Sequence, residues 1–110
     1  PPAVRGQLSA LEDEQKRRAT RSLRDGLDRV LTDLESLYRD TLMVQFGRET
    51  DLINRELSGE IVALAGAWTP ERTLTVLDQI SQTRTHLEGN AAPVLALESL
   101  LITVASGRTP

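Results

Sequence analysis

The stretch Leu23-Arg24-Asp25-Gly26-Leu27-Asp28-Arg29-Val30-Leu31-Thr32-Asp33-Leu34-Glu35-Ser36-Leu37-Tyr38-Arg39-Asp40-Thr41-Leu42 carries its apolar residues at steps of three and four. Leu23, Leu27, Val30, Leu31, Leu34, Leu37, Tyr38 and Leu42 therefore share one face of a long helix. Asp25, Asp28, Asp33 and Glu35 fall on the other. Gly47 is a plausible stop, because glycine adopts the left-handed conformation that ends many helices. Upstream, Ser9 with Glu12 three residues later has the form of a capping box. Leu8 and Leu11 would then open a helix running through Lys16, and the sequence leaves open a break near Thr20.

Downstream of this helix, Asn54 can cap a short helix with the stripe Leu57, Ile61, Leu64, Ala65 and Trp68. Thr69-Pro70-Glu71 supplies an N-cap, a proline at the first helical position and an acid in the first turn, so a further helix starts there. Its apolar positions are Leu74, Val76, Leu77, Ile80 and Leu87, and Gly89 is expected at positive φ past its end. Asn90 can cap the last helix, which tolerates Pro93 in its first turn. Val94, Leu95, Leu97, Leu100, Leu101, Ile102 and Val104 lie nearly all round that helix, so it must be central or must meet a partner. The expected fold is an all-α bundle of four or five helices joined by short connections. The ends, 1–7 and 107–110, read as ragged.

Composition narrows the function. The 110 residues suit one domain, and 39 % hydrophobic with 26 % charged residues is the balance of a folded chain. The net charge of −3 disfavours a broadly basic nucleic-acid binder. Cysteine is absent, which removes disulfides, thiolate zinc sites and thiol nucleophiles together and leans weakly towards the cytoplasm. The apolar run from Val94 to Ala105 is interrupted by Glu98 and Ser99 and is too short to span a bilayer. The chain begins with Pro1 and shows no secretory signal, so it reads as a segment of a longer protein.

No constellation supports catalysis. His86 is the one histidine, and Thr83 stands where a Glu-x-x-His metal motif needs an acid, so His86 is expected on a helix surface or packed. There is no G-x-S-x-G elbow and no phosphate loop. The chain is expected to be no enzyme and to take no cofactor or metal. Lys16-Arg17-Arg18-Ala19-Thr20-Arg21-Ser22-Leu23-Arg24 is the basic cluster, and it could follow a phosphate backbone. Glu12, Asp13 and Glu14 precede it at salt-bridge spacing, and no aromatic interleaves it, so a solvated helix face is preferred to a nucleic-acid module. Tyr38 reads as core with Arg39 and Asp40 as a flanking surface pair. Trp68 reads as a core anchor, with an interface hot spot as the alternative.

Taken in order, four segments look like one known domain: Leu37 to Gly47 with Tyr38-Arg39-Asp40, then Leu52-Ile53-Asn54, then Thr69-Pro70-Glu71, then His86 to Leu101 with Asn90, Pro93 and Ala96-Leu97-Glu98. They resemble the C-terminal collar domain of the delta-prime subunit of bacterial DNA polymerase III clamp loaders, most of all those of high-GC Gram-positive bacteria. The resemblance runs from about Arg18 to Ala105. Ala92 departs from it, since the family often has a second asparagine before the proline. Gamma/tau subunits carry a similar collar.

The resemblance implies a non-catalytic, hetero-oligomeric role, in which collar domains hold the loader pentamer together while separate AAA+ modules use ATP. It implies the gamma/tau and delta collar domains as partners, no direct nucleic-acid contact, no membrane and a cytoplasmic location. Residues 1–17 would be a linker or leading helix from a missing AAA+ region, 18–106 the collar domain and 107–110 a tail. Tyr38, Arg39, Asn90, Pro93, Leu97 and Leu101 are the candidate interface residues, chosen by motif position and apolar excess.

Overall fold

A computed structural model describes residues 1–89 and 93–106, the side chains of residues 93 and 94 excepted. Four α-helices account for most of it: α1 (Pro2–Gln45), α2 (Ser58–Ala67), α3 (Pro70–Glu88) and α4 (Pro93–Ser106). Two short 3-10 turns, Glu49–Asp51 and Arg55–Leu57, connect α1 to α2. Among the described residues there is no strand, so the all-α expectation holds.

The helix expected to begin near Ser9 and the one around Leu31 are a single α1, unbroken at Thr20. Ser9 and Glu12 accordingly lie inside it and cap nothing. A helix of 44 residues at about 1.5 Å per residue is ~66 Å long, which accounts for the 69 Å long axis of the molecule. Its first buried residue is Leu31, so roughly the N-terminal half projects beyond the bundle. The C-terminal end closes as expected at Gly47, whose φ is 76°. Arg48 N–H donates to Met43 O (2.8 Å) and Gly47 N–H to Val44 O (2.9 Å), the paired bonds of a Schellman motif.

The principal packing runs α2 on α1, α1 on α3 and α3 on α4. The core comprises Leu31, Tyr38, Val76, Ile80, Leu87, Ala96 and Leu100, with Leu27, Leu34, Leu64, Trp68, Leu77 and Val104 packed around it. Leu23 and Val30, expected on the inner face of α1, are half exposed, because no other helix reaches that flank. Four threonines are fully buried without a cross-helix partner. The hydroxyls of Thr41, Thr73, Thr83 and Thr103 each donate to the carbonyl one turn earlier, at 2.7 to 3.2 Å, which satisfies them within their own helix.

The start of α3 follows the sequence closely. Thr69 Oγ1 accepts from Arg72 N–H (3.2 Å) and Pro70 occupies the first turn. Its end does not: Gly89 has φ −86°, so the left-handed cap is absent there. Side chains from elsewhere serve the open carbonyls of three helices. Arg24 of α1 donates to Leu87 O at the end of α3. Gln45 of α1 donates to Trp68 O (3.0 Å) and Ala65 O (3.4 Å) at the end of α2. Arg72 of α3 donates to Val104 O (2.8 Å) and Ala105 O (3.3 Å) at the end of α4. These bonds hold each shorter helix to its neighbour, and a cation also suits the negative end of a helix.

Candidate functional site

Tyr38-Arg39-Asp40 is one of the motifs that carry the resemblance, and the structure gives its members different tasks. Tyr38 is buried and stacks on Trp68 with ring centroids 5.3 Å apart and planes 5° from parallel. The Arg72 guanidinium lies 4.2 Å from the Trp68 ring centroid on its way to the end of α4. Aromatic pairs and cations over indole each add to simple burial. Burial raises the Tyr38 pKa, against the lowering effect of Arg72, so its phenol stays protonated. Trp68, half-buried at the end of α2, thus packs against the core and joins Tyr38 of α1 to Arg72 of α3.

Asp40 is the correction to the sequence reading. It is fully buried, not half of a surface pair. Its carboxylate accepts from the backbone N–H of Ile53 (2.9 Å) and of Asn54 (2.7 Å) and from the Asn54 amide (2.9 Å), which also donates to Ser36 Oγ (2.9 Å). Desolvation on its own pushes the Asp40 pKa up. The bonds from Ile53 and Asn54, with the nearby Arg39 charge, outweigh it and the net shift is downwards. Asn54 therefore does not cap a helix with its side chain, and instead ties the α1–α2 connection to α1. The sequence signal for this lock was the presence of Asp40 and Asn54 in separate quoted motifs; nothing in their spacing joined them. Arg39 is half exposed, 3.7 Å from Asp40.

The last helix divides into two sides. Ala96, Leu100 and Thr103 are buried against the bundle and Leu97 is half-buried. Leu95, Leu101 and Ile102 are 65 %, 57 % and 52 % exposed. Glu98, the one charged residue in α4, is exposed on the same side between Leu95 and the Leu101–Ile102 pair, so the outer side is apolar around a single carboxylate. Of the six candidate interface residues, Leu101 stands on this outer side, Leu97 is half-buried, Arg39 is exposed on α1 beside Asp40 and Tyr38 is in the core. Asn90 lies outside the described residues, and Pro93 opens α4 with its side chain undescribed.

The basic cluster occupies the projecting half of α1. Glu14 bridges Arg17 (3.0 Å), Arg18 (3.2 Å) and Arg21 (3.5 Å), so one carboxylate serves three guanidinium groups along an exposed face. His86 is exposed. Among the described residues no group of His, Asp or Glu is placed to hold a metal ion. No described helix is long and apolar enough to cross a membrane.

A protein-family model described as "DNA polymerase III, delta subunit, C terminal" matches residues 8–105. No curated protein matches the chain, and no solved structure does. The match covers all four helices except the first turns of α1 and the last residue of α4.

Proposed function

The chain belongs to the C-terminal family of the DNA polymerase III delta subunit, a clamp-loader family, and on that premise we propose that it is a non-catalytic collar domain that holds a clamp-loader assembly together. The observation that carries the reading is the outer side of α4. Leu95, Leu101 and Ile102 stand in solvent on a helix whose opposite side is core. Covering such a surface with the helical domain of a neighbouring subunit removes apolar area from water, the main driving force of association. The partners are the other subunits of the loader, acting in the cytoplasm during DNA replication.

The subunit position is a finer matter. The family description names delta, whereas the Tyr38-Arg39-Asp40 helix and the Asn90-to-Pro93 turn resemble delta-prime. We assign the delta-prime position on those motifs, with delta as the competing position and gamma/tau as the neighbour. The basic face of Lys16 to Arg24 is the alternative seat of function, as a nucleic-acid module. The ion pairs from Glu14 and the lack of an aromatic in that segment count against it.

Native mass spectrometry of the chain mixed with gamma/tau, delta or delta-prime subunits tests the reading, with a DNA duplex as competitor. A complex with gamma/tau that persists in the presence of DNA and is lost in Leu101→Glu is the expected result. Failure to bind any loader subunit, together with salt-sensitive DNA binding, would overturn it. Binding to both gamma/tau and delta but not delta-prime favours the delta-prime position, since a subunit meets its neighbours and not its own kind.

A further inference from the structure

The basic stretch of α1 has no task in a contact made through α4. Within it, Arg17-Arg18-Ala19-Thr20 sets arginines three and two residues before a threonine, with Lys16 one residue further back. No other serine or threonine in the chain has arginine at both positions. The Thr20 hydroxyl also differs from its counterparts. The other threonines of α1, Thr32 and Thr41, and every threonine of α3 and α4 donate to the carbonyl one turn earlier. Among the described helical threonines, Thr20 makes no such bond, and it is exposed.

The surroundings of that hydroxyl suit a phosphate. Lys16, Arg17, Arg21 and Arg24 line the surface about Thr20, and Glu14 is the one acid there. At about 100° per residue, Lys16, Arg17 and Arg24 lie within about 60° of Thr20 around the helix. A substrate threonine must also enter a kinase cleft in extended form. Residues 1–23 include no buried residue, and among the described residues none of their side-chain hydrogen bonds or ion pairs leaves α1. Helicity there rests on local propensity and on the Glu14 ion pairs, so unwinding about Thr20 gives up no core contact. Thr32 and Thr75 each follow an arginine by three residues, but they adjoin the buried Leu31 and Val76 on packed stretches. Ser58 follows Arg55 at the same spacing, with Glu56 in place of the second arginine.

We propose that Thr20 is a phosphorylation site, modified by an ATP-dependent serine/threonine kinase whose cleft offers carboxylates to Arg17 and Arg18. Guanidinium groups pair with carboxylates through two parallel bonds, so neighbouring arginines set register as well as affinity. In the transfer, Thr20 Oγ1 attacks the γ-phosphorus of ATP. The new O–P bond forms as the bond from that phosphorus to the bridging oxygen breaks, ADP leaves, and the hydroxyl proton passes to the catalytic base of the kinase. The product phosphate brings about −1.5 to −2 charges and three acceptor oxygens among Lys16, Arg17 and Arg24. It competes with Glu14 for Arg17 and attracts Arg24, which otherwise reaches Leu87 O at the end of α3.

The test incubates the full chain with MgATP and a purified kinase that requires basic residues before its target, and reads the product by intact-mass and fragment-ion mass spectrometry. One phosphate on Thr20 is expected, and none in Thr20→Ala. The double variant R17Q/R18Q should lower kcat/KM by at least about tenfold. Both positions are exposed, so it keeps the helical circular dichroism of the wild type. Phosphorus NMR of the product should show a phosphate titrating below its ordinary value of about 6, because nearby cations favour the dianion, and K16Q should move it back up. Phosphate on Thr32, Ser58 or Thr75 instead, or an R17Q/R18Q variant modified as fast as the wild type, would overturn the assignment. A full chain left unmodified while a peptide of residues 14–24 is modified would overturn it too, by showing that α1 shields Thr20. Failure to modify either would mean that the arginine pair is not read as a kinase motif, and a phosphate titrating at its ordinary value would remove the cationic seat.

Discussion

Replacing Asp40 by Asn removes one negative charge and keeps the shape of the side chain. In the wild type the two carboxylate oxygens accept two backbone N–H bonds and one amide bond in a site closed to water. An Asn side chain offers one carbonyl oxygen, and its NH2 would face a main-chain donor. One amide of Ile53 or Asn54 thus loses its partner. Hydrogen bonds to a charged group are worth about 1.5–3 kcal/mol, and a buried unpaired donor costs about 1–3 kcal/mol. Allowing for relaxation, the expected loss is ~2–4 kcal/mol, a large part of the roughly 5–15 kcal/mol that holds a domain of this size. With a urea slope of about 1.5 kcal/mol/M, the midpoint should fall by about 1.3–2.7 M. The assay is urea unfolding followed by circular dichroism at 222 nm.

The pH dependence provides the second half of this test. The folded pKa of Asp40 lies below its ordinary value. The stabilisation is therefore complete above the unfolded pKa, near 3.9, and is lost as pH falls through the lowered folded value. The gap between wild type and Asp40→Asn should accordingly be constant from pH 7 to about pH 5 and narrow below about pH 4. A difference below about 0.5 kcal/mol at pH 7, or a gap that is the same at pH 3 and pH 7, would refute the lock as the stabilising element.

Adjacent leucines in α4 should behave in opposite ways. Leu100→Ala is expected to cost about 2–5 kcal/mol because it opens a cavity in the core, whereas Leu101→Glu should change the stability of the isolated chain by less than about 1 kcal/mol; thermal unfolding of both compares them. Arg72→Ala removes the cation over Trp68 and the bonds to the end of α4, so a loss of about 2–3 kcal/mol is expected, with a red shift of Trp68 fluorescence as the ring gains water. Gly47→Ala places a Cβ at φ 76° with nothing within 4 Å of that atom, so the backbone strain alone should cost about 1–2 kcal/mol, measured by urea titration. Glu14→Gln should leave stability within about 0.5 kcal/mol, since its ion pairs are exposed.

Much of the fold was legible because helical periodicity and caps are local. The apolar steps from Leu27 to Tyr38 gave the inner face of α1, and Thr69-Pro70-Glu71 gave the start of α3 to the residue. Gly47 ended α1 by the mechanism expected of it. The failures also have local causes. The Ser9 and Glu12 pair has the form of a cap, but helix-forming residues on both sides let α1 run through it. Gly89 can adopt positive φ without having to, and α3 ends there at φ −86° while Arg24 serves Leu87 O. Arg39-Asp40 looked like a surface pair because adjacent charged residues usually are. Asp40 is buried because backbone amides more than a full helical turn beyond the end of α1 fold back onto it.

The candidate site was legible in part. An all-round apolar last helix announced that α4 needs cover on more than one side, and that requirement follows from composition and spacing alone. Which side the bundle covers is a different kind of fact. It depends on α3 meeting Ala96, Leu100 and Thr103, and this leaves Leu95, Leu101 and Ile102 to a partner. The sequence by itself determined the helical nature of the segments and the apolar excess of the last one, properties of residues within a few turns of one another. Only the tertiary structure decided that Tyr38 stacks on Trp68, that Asp40 is buried and holds Asn54, and that arginines and a glutamine close the ends of other helices. Those outcomes depend on segments far apart in the chain, whose approach is set by the packing of the whole core and leaves no trace in local spacing.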